Sequence, residues 1–175
     1  MTSKGLRDTN VALNRRFITA LSNHILWVDD ESHKPLLIDV SLPHVVKLRV
    51  YLYNCTNPPG GRKSDEYKSQ IIVPGQARGE RGNFDYSDER IILFGAYAKL
   101  IEQADDGVFV FWDANRHVDF SYSANVQVKS EMLIAALRVP VYTGHRSNGE
   151  TIVTAKAENL LRAIKTRIET VSPIL

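Results

Sequence analysis

Val45-Val46-Lys47-Leu48-Arg49-Val50-Tyr51-Leu52-Tyr53 decides the fold class of this chain. Val46, Leu48, Val50 and Leu52 fall on one side of an extended backbone and Lys47, Arg49, Tyr51 and Tyr53 on the other, the period of two that belongs to a strand. One face is therefore expected in the core and the other polar or semi-exposed. Working outward, Leu36–Val40 lies between Pro35 and Pro43 and reads as a second strand. Ile71–Val73 before Pro74, Arg90–Ala98, Val108–Trp112 and Asn125–Lys129 read as further strands, with a turn at Asp105-Asp106-Gly107. Pro140–Ala155 reads as a hairpin around Asn148-Gly149, a dipeptide suited to positive backbone angles.

Helical spacing is confined to three segments. In Asn10–His24, Leu13, Phe17, Leu21 and Ile25 recur every four residues, Ile18 widens the stripe, and Thr9 or Asn10 serves as cap. Ser130–Leu137, capped by Ser130, is a second helix. Lys156–Thr170 is a third, with Leu160, Leu161, Ile164, Ile168 and Val171 as its apolar stripe. Leu36–Trp112 has no helical period, which argues against a doubly wound fold. The pattern predicts an α+β, mainly β domain: a pseudobarrel of seven or so strands flanked by N-terminal and C-terminal helices, spanning residues 1–175 as one unit.

Composition narrows the function classes. The 175 residues carry 22 Lys+Arg against 20 Asp+Glu, a net charge of +2, so any nucleic-acid affinity has to come from charge gathered on one face. No apolar run approaches the roughly 18 residues of a membrane span, and the polar N-terminus lacks a signal-peptide pattern, so a cytoplasmic protein is expected. The single cysteine, Cys55, excludes an internal disulfide and Cys-x-x-Cys chemistry; flanked by polar turn residues, it reads as an exposed thiol without an activating partner. The five histidines never stand four apart on a helix and are expected on the surface or at helix ends, so zinc is not indicated. Gly75–Gly82 matches no phosphate-loop spacing, and no Gly-x-Ser-x-Gly elbow accompanies Ser121 and Ser123. Trp27 and Trp112 read as core or rim packing.

The informative chemistry sits in two polar excursions, Asn54–Gln70 and Asp113–Gln127, each leaving one strand and entering another. Their side chains are those that read DNA: Arg and Lys for guanine edges and phosphates, Asn and Gln for adenine, Ser and Tyr for phosphates. Composition alone favours plain solvated loops, but the second excursion gathers His117, Phe120, Tyr122, Asn125 and Gln127 around Arg116. Between residues 60 and 82, Arg62, Lys63, Lys68, Arg78 and Arg81 outnumber Asp65, Glu66 and Glu80.

Two other readings compete. Asp39 with Glu66-x-Lys68 matches the carboxylate and lysine set of a magnesium-dependent PD-(D/E)XK endonuclease, although Glu66 in a surface ion pair is the commoner outcome for such a pattern. Tyr51, Tyr53 and Tyr97 as an exposed aromatic patch would instead mark a protein-interaction module.

Tyr51–Arg62 with Asp65–Gln70, then Val110–Ala114 and Tyr122–Lys129, resembles the DNA-recognition domain of bacterial restriction-modification endonucleases, whose fold is the "B-three" pseudobarrel. The resemblance runs over roughly Lys47–Ala155 as ordered blocks without one diagnostic signature. It implies two strand-connecting arms embracing the major groove of double-stranded DNA, without a cofactor or a membrane. Arg62, Lys63, Lys68 and Gln70 would act from the first arm, and Asn115, Arg116, Tyr122, Ser123, Asn125 and Gln127 from the second. Arg78 and Arg81 would clamp the backbone. The near-neutral charge departs from that pattern and suits a targeting domain whose parent system supplies a nuclease domain or subunit. The residues leave open which bases are read and whether methylation matters.

Overall fold

The chain runs α1 (Asn10–Leu21), β1 (Ile25–Val28), β2 (Leu36–Ser41), β3 (Val45–Asn54), β4 (Glu66–Ile71), β5 (Ile91–Lys99), β6 (Gly107–Trp112), β7 (Ala124–Lys129), α2 (Ser130–Ala135), β8 (Tyr142–His145), β9 (Thr151–Lys156) and α3 (Leu160–Glu169). This is a computed structural model that describes residues 7–57, 63, 65–100 and 106–173. Seven strands form a mixed sheet in the order β1-β2-β3-β5-β6-β9-β8, while β4 and β7 form a separate antiparallel ribbon. Every junction in the large sheet is antiparallel except β3 with β5. A parallel pair requires a long crossover. Here residues 55–90 provide it, and the described ones among them carry the ribbon strand β4 and no helix.

The architecture has three layers. On one face of the large sheet, α1 and α3 bury Leu13, Phe17, Leu160, Ala163 and Ile164 against Leu48, Val50, Phe109, Phe111 and Val153. The ribbon and α2 cover the other face, where Ile71, Val126, Val128 and Leu133 meet Tyr51, Tyr53, Phe94, Ala96, Val110 and Trp112. The structure is therefore mainly β as expected, but the expected pseudobarrel is replaced by an open sheet. Its outer strands β1 and β8 do not pair with each other; the central strands β3, β5, β6 and β9 are already buried on both faces by the covering layers, so closure is not needed to hide them.

That second covering layer also corrects the reading of β3. Its first residues alternate in exposure, yet from Leu48 onward both sides are buried. Arg49 pairs with Asp85 at 3.1 Å and with Asp88, and the Tyr51 hydroxyl accepts from the Asp85 amide at 3.0 Å. Tyr51, Tyr53 and Tyr97 are all buried, which removes the exposed aromatic patch. Cys55 is likewise buried, and desolvation pushes its thiol up to about 12.

Local signals account for the remaining elements. The Thr9 hydroxyl accepts from the Ala12 amide at 3.2 Å and starts α1. Ser22, at a positive φ of 35°, ends the helix earlier than the apolar stripe suggests, so Ile25 opens the edge strand β1. Ser130 begins α2 as its first residue, with Lys129 in the capping position. The hairpin around Gly149 forms β8 and β9, with Gly149 at φ 86°. The Asp105 part of the expected turn lies outside the described residues. In β5, Gly95 lies opposite Phe111, and a Cβ there would approach the Phe111 ring to 2.4 Å and the Val110 carbonyl to 2.7 Å.

The second excursion is tied down by a buried carboxylate that the sequence did not single out. Glu150, fully buried, accepts from the Asp113 amide at 3.0 Å and from Arg146 at 2.7 Å, and its Oε2 lies 2.6 Å from Nε2 of His117. His117, which closes the short helical turn Ala114–Arg116 and so stands at one of the helix ends expected for the histidines, is thus an anchor. Asp113 accepts in turn from the Asn115 and Ser172 amides. Arg167 of α3 closes the same end of the sheet by donating to the carbonyls of Phe111, Thr151 and Thr170.

Gly95→Ala is expected to lower stability by about 1–3 kcal/mol, the range for overfilling a close-packed core, seen as a lower thermal midpoint. Burial opposes the charged form of Glu150, but His117 and Arg146 outweigh it and hold the carboxyl below its usual 4.5. Its contribution is therefore complete near neutrality and is lost as the pH falls through the depressed folded-state value. Glu150→Gln should cost about 3–5 kcal/mol at pH 7, as breaking a buried ion pair does, and should flatten the acid-side decline of the wild-type melting midpoint.

Candidate nucleic-acid interface

The two polar excursions meet. β4 comes from the first and β7 from the second, and they pair antiparallel in the register Glu66 with Lys129, Lys68 with Gln127 and Gln70 with Asn125. Side chains alternate along each strand, so Ser69, Ile71, Val126 and Val128 are buried while Asn125, Gln127 and Gln70 are exposed and Lys68 is partly exposed. The polar stretch Glu66–Gln70 is thus a strand and not an open loop. Its alternation is masked because one side uses Tyr67 and Ser69 as inward residues in place of aliphatic ones.

The large sheet holds the ribbon through polar tips on bulky side chains. Trp112 Nε1 donates to the Gln127 carbonyl at 3.1 Å and the Tyr53 hydroxyl to the Ile72 carbonyl at 3.2 Å. Ser69 Oγ donates to the Asn54 carbonyl at 2.8 Å. On its other edge β4 exchanges backbone bonds with Thr56 at 2.8 and 2.9 Å. The outer face is consequently backed by a rigid layer, with Lys68, Gln70, Asn125 and Gln127 side by side.

The remaining candidates divide. Arg78 and Arg81 are exposed in the loop that follows β4, and that loop is joined to the second excursion by the Gly82–Phe120 backbone bridge and by Arg81 donating to the Asp119 carbonyl at 3.4 Å. Tyr122 and Ser123 are partly exposed just before β7, Ser123 at φ 58°. Arg116 is exposed and donates to the Asn148 carbonyl at 2.9 Å. The Asn115 amide is engaged on both sides, donating to the Ser172 carbonyl at 2.6 Å and accepting from Tyr86 at 2.9 Å. Lys63 is exposed, and Arg62 lies outside the described residues. Lys129 completes the ribbon face between Asp65 and Glu66, each at 3.4 Å; the period of two from Asn125 through Gln127 was the signal for it.

The nuclease set does not assemble. Asp39 pairs with Lys47 at the start of β3, whereas Lys68 bridges Thr56 beyond its end, a separation on the order of 25–30 Å along an extended chain. Asp39 is held by Arg90 at 2.9 Å, and Glu66 faces Lys129. Among the described residues no group of three His, Cys, Asp or Glu side chains is placed to hold a metal ion. Nor is any helix among them long and apolar enough to cross a membrane.

The Methylase-associated X1 family model matches residues 46–164, from β3 into α3. No curated protein and no solved structure matches the chain. The family match takes in both ribbon strands, the parallel crossover and the hairpin that anchors the second excursion, and on that extent the chain belongs to the Methylase-associated X1 family.

Proposed function

We propose that this protein recognises double-stranded DNA through the outer face of the β4–β7 ribbon, as the targeting domain of a restriction-modification system. The observation that carries the reading is the register that sets Lys68 beside Gln127 and Gln70 beside Asn125 on one solvent-facing surface. A two-stranded ribbon fits the major groove. Amide side chains there pair with the adenine edge, and a lysine reaches guanine acceptors or a phosphate. The two arms act as one paired reading element and not as separate fingers. Arg78, Arg81 and Lys63, lying beyond the ribbon's ends in the chain, are suited to backbone phosphates, which position the duplex without specifying sequence.

The family's association with methylases supports the restriction-modification setting. In such a system a reader of this kind supplies target choice to an activity carried elsewhere. A net charge of +2 is consistent with an interface that depends on local placement of charge more than on overall attraction.

Selection from random duplexes, methylated and unmethylated, at two salt concentrations tests the reading. Enrichment of one short sequence is expected. Asn125→Ala and Gln127→Ala should each reduce discrimination at one position by about 5- to 150-fold, corresponding to the about 1–3 kcal/mol of a bidentate base contact. Arg78→Ala and Arg81→Ala should weaken all sequences alike and lower the salt slope by about 1 each. Retention without salt dependence, or ribbon variants that select the same sequence with unchanged strength, would rule the reading out.

A further inference from the structure

Beside the ribbon, between β4, the end of β3 and the start of α1, lies a cavity of about 250 Å³ whose wall includes Arg7, Lys34, Tyr53, Lys68 and Gln70. Three of these side chains are cationic. Asp8, the acid in the same wall, is engaged by Arg16 at 2.5 Å and Lys99 at 2.8 Å. Its carboxyl is opposed by burial but held below the usual range by those two cations, so its charge is already matched outside the cavity.

Lys34 is the unusual member. Its Nζ stands 3.9 Å from the centre of the Tyr53 ring, and among the described residues no carboxylate lies within ion-pair distance of it. A partly buried ammonium without a counter-ion carries a desolvation cost, and an aromatic face offsets part of it only. Burial pushes the group down to about 8, so near neutrality it keeps its proton. Cationic side chains in a wall whose one acid is already paired elsewhere suit an anionic ligand.

We propose that this cavity is a phosphoryl-binding site that takes the phosphate of a nucleotide, with Lys34 as its principal anchor and Arg7 in the same wall. The phosphate has two possible sources, a free mononucleotide or a DNA strand laid across the adjoining ribbon. Lys68 and Gln70 belong to both the cavity wall and the ribbon face, whereas Asn125 and Gln127 do not line the cavity, so Gln127→Ala separates this site from base reading by the ribbon.

The test is calorimetric titration of the full chain with inorganic phosphate, a deoxynucleoside 5′-monophosphate and duplex DNA, for the wild type, Lys34→Met, Lys34→Arg and Gln127→Ala, with melting curves for each. The wild type is expected to bind the mononucleotide more tightly than inorganic phosphate. Lys34→Met should weaken the mononucleotide at least tenfold while keeping or raising the melting midpoint, since it removes a partly desolvated charge without a counter-ion, and Lys34→Arg should retain part of the affinity. Gln127→Ala should leave mononucleotide binding unchanged. Duplex binding that falls along with the mononucleotide in Lys34→Met identifies a strand phosphate as the source; duplex binding that survives identifies a free nucleotide. No binding of either phosphate compound by the folded wild type would overturn the proposal. So would equal affinity in wild type and a folded Lys34→Met variant, or a loss of stability in Lys34→Met with no ligand bound by the wild type, which would make Lys34 a packing residue.

Discussion

The burial of the ribbon's inner side on the aromatic face of the seven-stranded sheet is the contact on which the rest of the structure depends. Ile71, Val126 and Val128 come out of water against Tyr53, Phe94 and Trp112, and each such aliphatic side chain is worth about 1.5–3 kcal/mol when fully buried. A two-stranded ribbon is marginal in water by itself. Its outer face can present Lys68, Gln70, Asn125 and Gln127 in one plane only because the inner face is fixed. The bonds from Trp112 and Tyr53 to ribbon carbonyls satisfy backbone groups that would otherwise be buried unpaired.

The same constraint explains the parallel β3–β5 pair. The chain leaves β3, lays β4 over the sheet and returns to β5 in the original direction, so the crossover that parallel strands demand also supplies one strand of the ribbon. The second excursion needs a different support because it is largely irregular. Glu150 supplies it by collecting an amide, an imidazole and a guanidinium at one buried carboxylate. Polar clusters of this sort are costly when incomplete and rigid when complete.

Much of the fold was legible in the sequence, and the failures have physical causes. β2, β3, β5, β6 and β7 follow from period-two alternation or short apolar runs, and the β8–β9 hairpin from Asn148-Gly149. β1 was absorbed into the α1 stripe because Ile25 continues the four-residue spacing; the break is made by the backbone at Ser22 and leaves no apolar signature. β4 escaped because its inward residues include Tyr67 and Ser69, whose polarity conceals the alternation. Arg49 and Tyr51 read as semi-exposed because a local pattern does not report that a second layer, with Asp85 and Asp88 placed to meet the guanidinium, will cover that side.

By itself, then, the sequence determined a mainly β chain with helices at its ends and two polar excursions rich in Lys, Arg, Asn and Gln, because strand periodicity and turn chemistry act over a few residues at a time. Only the tertiary structure decided that the sheet stays open, that the excursions zip into one ribbon, and that Asp39 stands far from Glu66 and Lys68. It also decided that Lys34 faces a cavity without a counter-ion. These outcomes hinge on pairing between residues such as Lys68 and Gln127, which are distant in sequence, and on which surfaces remain to be buried once the first layer has formed. No local pattern encodes either.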